Sequence, residues 1–267
     1  MSDREFVGAV AELYEKLLVP MIFDSYAADL AARIDGSPRR VLEIAAGTGA
    51  LTRRLAGSLP PTASIIATDL NPPMLERGKR IGTARPVEWQ IADASSLPFP
   101  DASFDVVVCQ FGAMFFPDKA QAYSEVRRVL APQGRFFFNV WDRIEDNEFA
   151  AVVEEVVVDL FPGDPPRFMS RTPHGYYDTA KVARDLAAGG FSAKPVIETV
   201  AEQSRSESAR IAATAYCMGT PLRNEIEKRD PAALETAVER STTALEQRFG
   251  SGPITGKIQA HVISIPR

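Results

Sequence analysis

The chain has 267 residues, 45% of them hydrophobic and 24% charged, and 30 Lys and Arg against 35 Asp and Glu give a formal net charge of −5. That length can bury a sizeable core, as one large domain or one domain with a cap. The acidic balance argues against a nucleic-acid or anionic-membrane binder, and two cysteines with two histidines exclude a disulfide scaffold, a zinc ribbon and a His-rich metal centre.

In chain order, residues 6–19 and 24–34 carry apolar positions at helical spacing, and Pro20 is expected to separate them. The first residues lack the basic-then-apolar pattern of a signal peptide, and no apolar run reaches the ~18 residues of a membrane span. A cytoplasmic location without a membrane span is therefore expected. Residues 41–45 read as a buried strand, and 49–59 as a helix closed by Gly57 and Pro60. Residues 64–68, 87–91 and 104–109 read as further strands, and Pro72-Pro73 suits a helix start. Pro117 opens a helix that Gln133-Gly134 should end, before a fifth strand over 135–141. Strands separated by helices imply right-handed crossovers and a parallel sheet.

After Asp142 the spacing predicts helices over 149–160 and 179–188, a sixth strand over 196–200 and a last one over 258–265. Residues 205–249 between those strands read mostly helical, with a break near Gly219-Thr220-Pro221. A hairpin needs far fewer residues. The segment is expected to be a helical cap over the sheet, or an oligomer interface such as a homodimer would use.

The chemistry concentrates at predicted strand ends. Val41-Leu-Glu-Ile-Ala-Ala-Gly-Thr-Gly49 is a strand running into a Gly-x-Gly turn and then a helix. Gly47 and Gly49 let the backbone turn tightly and approach a ligand. The dinucleotide fingerprint needs a third glycine where this chain has Thr52, which counts against a nicotinamide-dependent oxidoreductase. No Lys follows a long glycine loop, so this is not a P-loop. Asp69 ends the second strand, 20 positions past Gly49, where a carboxylate can accept from both ribose hydroxyls of an adenosine. Asp93 ends the third strand and could read an adenine amino group, with the Ala94 N–H donating to a ring nitrogen. Gln110 and Phe111 end the fourth.

These pieces, with Asp69-Leu-Asn-Pro-Pro-Met74, Asp93-Ala-Ser-Ser-Leu-Pro-Phe99, Phe104-Asp-Val-Val-Val-Cys-Gln110 and Leu130-Ala-Pro-Gln-Gly-Arg135, resemble the class I S-adenosylmethionine-dependent methyltransferases. The likeness is to the small-molecule branch that includes the ubiquinone and menaquinone C-methyltransferases. It covers roughly residues 38–142. It implies an α/β, Rossmann-like, doubly wound, seven-stranded, mostly parallel sheet with helices on both faces and a helical cap. It also implies an N-terminal helical lid (1–37), a cofactor-binding core (38–142), and the rest of the sheet (143–267) with cap insertions at 205–249. The cofactor would be S-adenosyl-L-methionine and the partner a small-molecule acceptor, with no nucleic acid. By resemblance, Glu43 orients the glycine turn near the methionine ammonium, and Ala45, Gly47 and Gly49 line the methionine portion. Asp69 holds the ribose, Leu70 and Met74 sandwich the adenine, and Asp93 and Ala94 read its edge. Gln110 and Phe111 stand near the sulfonium. Ala46 departs from the Cys or Gly of many relatives and should alter only packing. A protein that binds the cofactor without transferring its methyl group is the alternative reading.

No catalytic base is assigned, and no metal ligands are found. His174 suits proton transfer by type, but its setting in Thr172-Pro-His-Gly-Tyr-Tyr177 favours a surface loop histidine. His261 reads as structural and Cys109 as a buried strand residue. Gln110 reads equally as a satisfied polar group at a strand end. Phe111, Met114, Phe115 and Phe116 read as core that also walls an acceptor pocket, with Tyr14, Trp141, Phe168, Met169, Tyr176 and Tyr177 as weaker candidates. The charges around 223–229 read as a solvated helix face.

Overall fold

The computed structural model describes residues 9–267, so the part of the first predicted helix on residues 6–8 lies outside the described residues. Seven strands form one sheet: β1 (Arg40–Glu43), β2 (Ser64–Asp69), β3 (Glu88–Ile91), β4 (Phe104–Gln110), β5 (Leu130–Trp141), β6 (Val196–Ser206) and β7 (Ile254–Pro266). Their order is β3-β2-β1-β4-β5-β7-β6. β1 to β5 pair in parallel, and β7 runs antiparallel to both its neighbours. The expected mostly parallel, doubly wound sheet is therefore present. Its order reverses beside β1, and such switch points leave a crevice at the carboxyl ends of the strands.

The helices are α1 (Ala9–Leu13), α2 (Asp24–Ala32), α3 (Ala50–Ser58), α4 (Pro72–Ile81), α5 (Lys119–Val129), α6 (Glu148–Leu160), α7 (Phe168–Arg171), α8 (Thr179–Ala188), α9 (Ala209–Met218), α10 (Leu222–Arg229) and α11 (Ala233–Phe249). Alternate strand residues face opposite sides, and two apolar clusters follow from this. On one face Val41, Ile65 and Val108 meet Leu30 of α2 and Leu55 of α3. On the other, Leu42, Val107 and Phe138 meet Val126 of α5 and Leu186 of α8.

Three local expectations are corrected. Pro20 does not separate two helices: it sits inside a π-helical stretch, Tyr14–Phe23, that joins α1 to α2. Proline has no N–H to lose there, and the wider turn takes hydrogen bonds such as Asp24 N–H to the Val19 carbonyl. The fifth helix ends at Val129, before Gln133-Gly134, because Leu130 already pairs with Phe104; the register then shifts, and Arg135 pairs with Val106. β6 extends to Ser206 because β7 offers a partner over its whole length, down to Ser206 opposite Ile254.

Candidate functional site

A cleft of about 1250 Å3, its open mouth included, lies over the carboxyl ends of β1, β2, β3, β4 and β5. One flank is built by the turn after β1. Its backbone is left-handed at Ala45 (φ 53°), Gly47 (57°) and Gly49 (84°). The Ala46 N–H still bonds the Thr68 carbonyl at 2.8 Å, so the turn is fixed to β2 as it leaves the sheet. The next amide, Gly47 N–H, donates to Asp69 Oδ2 at 2.8 Å. The other carboxylate oxygen, Oδ1, accepts from the Asn71 N–H and its side-chain amide. Burial pushes the Asp69 carboxyl up, against the hydrogen bonds from Asn71 and Gly47.

Of the eleven residues singled out from the sequence, nine line this cleft: Ala45, Gly47, Asp69, Leu70 and Met74, then Asp93, Ala94, Gln110 and Phe111. Leu70 is 42% exposed at the mouth, whereas Met74 is buried against the turn. Asp93 accepts from the Ser95 N–H at 2.8 Å and is exposed. Gln110 donates to the Phe23 carbonyl, leaving its Oε1 buried with no partner among the described residues.

The other two sit elsewhere. Gly49 is beneath Trp89, where a Cβ would come within 2.6 Å of the ring, so it packs the turn and does not line the cleft. Glu43 makes no side-chain hydrogen bond to the glycines of the turn among the described residues. It accepts from the Thr52 hydroxyl at 2.6 Å and faces a small adjoining space shared with Tyr14, Ala45 and Gln110. Asp69 anchors the turn instead. Burial pushes the Glu43 carboxyl up to about 8, with the Thr52 hydrogen bond and Arg53 acting against it. Thr52 thus fills with a buried hydrogen bond the position where a dinucleotide site has its third glycine.

Phe111 begins the other flank. It too is left-handed, at φ 50°, held by its N–H to Asn139 Oδ1 at 2.9 Å. Its ring stacks on Trp141 at 3.8 Å, and Tyr26 stands edge-on to both at 5.3 Å. His174 is not a surface residue. It is buried, lines the cleft, and its ring lies 6.0 Å from that of Trp141. Its Nδ1 is 2.8 Å from the Asp142 carbonyl oxygen, and burial pushes its pKa down to about 4. The Asp142 carboxylate meets Gln259, the Arg143 N–H and His261. Burial opposes its charge, but these partners outweigh it and hold the pKa low. His261 is therefore structural, bonded also to Thr199.

Met114, Phe115 and Phe116 line the cleft, as do Tyr14, Phe168 and Met169. Tyr176 does not: its hydroxyl bonds Asp185. Tyr177 is exposed beside Arg143. Cys109 is buried and its thiol pushed up to about 12 by burial. The charges of 223–229 pair along and off their helix, Arg223 with Glu227 and Arg229 with Asp164. Sequence reasoning missed Ile22 and Phe23 from the π-helical stretch and Tyr216 and Thr220 from the cap. Only the apolar or aromatic character of Ile22, Phe23 and Tyr216 could have signalled them, and Thr220 carries no such signal. Among the described residues lining the cleft the only charged side chains are Asp69 and Asp93; no Lys or Arg faces it. No group of His, Cys, Asp and Glu there could hold a metal ion.

Residues 42–138 match the methyltransferase domain family. The chain is 43% identical over 111 residues to a demethylmenaquinone methyltransferase of Thermus thermophilus, covering 41% of this chain and 49% of that protein. It is 45% identical over 100 residues to a ubiquinone/menaquinone biosynthesis C-methyltransferase of Ectopseudomonas mendocina, covering 36% and 39%. The chain thus spans about half or less of the curated relatives it matches. Among solved structures, phosphoethanolamine N-methyltransferase 2 of Haemonchus contortus, in complex with phosphomonomethylethanolamine and S-adenosylhomocysteine, superposes with a TM-score of 0.59 at 15% identity. That match covers 100% of this chain and 60% of the other. The [4+2]-cyclase SpnF gives 0.56 at 16% identity, over 99% and 97%. At these identities the likeness is one of fold.

Proposed function

We propose, from the methyltransferase domain that residues 42–138 carry, that this protein moves the methyl group of S-adenosylmethionine to a small-molecule acceptor. The observation that carries this reading is the turn fixed to Asp69 with a cleft on its open side. The residues present fit the cofactor. A left-handed glycine faces the cleft, where a Cβ would fill space against Met74 at 3.6 Å and the Tyr14 hydroxyl at 4.0 Å. A buried acceptor, Gln110 Oε1, has no partner among the described residues. The charged lining is wholly acidic, which suits a cationic group.

When bound, S-adenosylmethionine supplies an electrophilic methyl group on a positively charged sulfur. Asp69 would accept from the ribose hydroxyls: Oδ2, with the Gly47 N–H as its one donor, keeps a lone pair free, and Oδ1 would exchange the Asn71 side-chain amide for a hydroxyl. Leu70 and Met74 would flank the adenine, with Asp93 and Ala94 at its edge. Glu43, across from Tyr14, would receive the ammonium group. Gln110 and Phe111 would border the reacting centre. In the lid expected of residues 1–37, of which 1–8 lie outside the described residues, Leu18, Ile22 and Phe23 would wall the cleft, and 205–249 would act as the cap through Tyr216 and Thr220. Beyond the matched domain, which ends at residue 138, Trp141, Phe168, Met169 and His174 would wall the acceptor half together with Met114 and Phe115. That wall needs to align the acceptor and exclude water; orientation alone can supply ~7–11 kcal/mol of the barrier. Its lining is mainly apolar and aromatic, which favours an uncharged aromatic acceptor, and quinone-type compounds named for the relatives belong in the first panel. Two buried free thiols suit the cytoplasm.

Incubation with S-adenosylmethionine and an acceptor panel tests the reading. S-adenosylhomocysteine and methylated product should appear together. Tight cofactor binding without turnover on any acceptor would instead favour a binding protein.

A further inference from the structure

The lining contributed by the chain beyond Trp141 contains few polar side chains, and two of them are fully engaged. Asn147 spends its amide on the backbone carbonyls of Asp142, Arg143 and Gln259, and its oxygen on the Gln259 N–H. Thr220 donates to the Tyr216 carbonyl and accepts from the Leu222 N–H. His174 differs. A carbonyl oxygen only accepts, so the bond to the Asp142 carbonyl requires a proton on Nδ1. In the neutral ring Nε2 is then a bare lone pair. It has no partner among the described residues, and the ring lines the cleft. The Tyr216 hydroxyl of this lining also has no hydrogen-bond partner among the described residues.

We propose that His174 Nε2 is the proton acceptor for a hydroxyl on the methyl acceptor, and that the substrate is an uncharged, largely apolar phenol or enol. This rests on the methyltransferase reading given above. No Lys or Arg of the described lining pairs with a phenolate, carboxylate or phosphate, so the hydroxyl of an uncharged acceptor enters protonated and needs a proton acceptor. In the step itself the oxygen's electron pair forms the new bond to the methyl carbon, and the methyl–sulfur pair stays on sulfur. The hydroxyl proton passes to Nε2. Bond formation makes that proton far more acidic, so a weakly basic imidazole suffices, and the imidazolium then sheds it to solvent. The Asp142 carbonyl is the positioning group: it holds the tautomer.

The test uses the whole protein with S-adenosylhomocysteine present, and 4-nitrophenol against 4-nitroanisole as probes. Near neutral pH, binding should bleach the 400 nm phenolate band, because the cleft takes the neutral phenol. The phenol should bind at least tenfold tighter than the anisole. His174→Phe should abolish that preference while S-adenosylhomocysteine affinity stays within twofold. His174→Gln, which keeps an acceptor atom but no basic nitrogen, should retain the preference and lose about 10² to 10⁴-fold in turnover of a hydroxyl acceptor; it also decides the matter if the Phe variant does not fold. A preference unchanged in His174→Phe, an enhanced phenolate band on binding, or full turnover in His174→Gln overturns the proposal. Loss of S-adenosylhomocysteine binding by the wild-type protein would sink the cofactor reading instead.

Discussion

Gly49→Ala separates a packing role from a ligand-lining role. The substitution sets a methyl carbon 2.6 Å from Trp89 Cη2 and 3.3 Å from Thr52 Oγ1, at a residue with φ 84°. A left-handed non-glycine residue costs ~1–2 kcal/mol. Overpacking against the ring adds ~1–3 kcal/mol. The sum, ~2–5 kcal/mol, is a large share of a stability of ~5–15 kcal/mol. Gly47→Ala meets nothing closer than 3.6 Å, so only the backbone cost of ~1–2 kcal/mol applies. Urea unfolding of both variants, repeated in a Trp89→Leu background, measures the difference. Gly49→Ala should cost more than Gly47→Ala, and its excess should vanish when Trp89 is shortened, a coupling of ~1–3 kcal/mol. Equal costs at the two glycines, or no coupling to Trp89, would refute the packing assignment.

The Glu43 carboxyl, held at about 8 against an ordinary 4.5, makes folding favourable without penalty below pH 4.5 and progressively less so as pH rises through 8, by about 5 kcal/mol in all. Glu43→Gln should remove that slope in thermal melts between pH 5 and 8. Calorimetry of S-adenosylhomocysteine in buffers of differing ionisation enthalpy should show proton release in the wild type and none in Glu43→Gln. The His174 ring, held at about 4 against 6.5, is neutral and stabilising above pH 6.5, and its contribution is lost as pH falls from 6.5 through 4, about 3 kcal/mol. His174→Gln should melt with a flatter acid limb over that window. Phe111→Ala empties a buried ring that stacks on Trp141 and should cost ~3–5 kcal/mol in chemical denaturation.

Local pattern made most of the sheet legible. Short apolar runs bounded by Gly and Pro, β-branched in β2 and β4, mark the parallel strands, and the mainly parallel order follows from the helices between them. The far ends of β6 and β7 were not legible, because Ser206 and Ile254 pair across the three cap helices, and hydrogen bonding at that distance overrides weak local preference. Asp69 and Gly47 could be marked because strand ends share one edge. The place of Gly49 beneath Trp89 is not legible in the sequence, because Trp89 reaches it from β3, through a register that no single segment encodes. His174 looked superficial beside Thr172, Pro173 and Gly175; its burial comes from the Asp142 carbonyl and the surrounding wall. Tyr216 faces the cleft only because the cap folds back.

Titration of S-adenosylhomocysteine into wild-type protein and a folded Asp69→Ala variant bears most directly on the whole account. A carboxylate that holds both the turn and the nucleoside predicts saturable one-to-one binding to the wild type, weakened by roughly 1–3 kcal/mol in the variant. Indistinguishable affinities, or no binding by either protein, would contradict it.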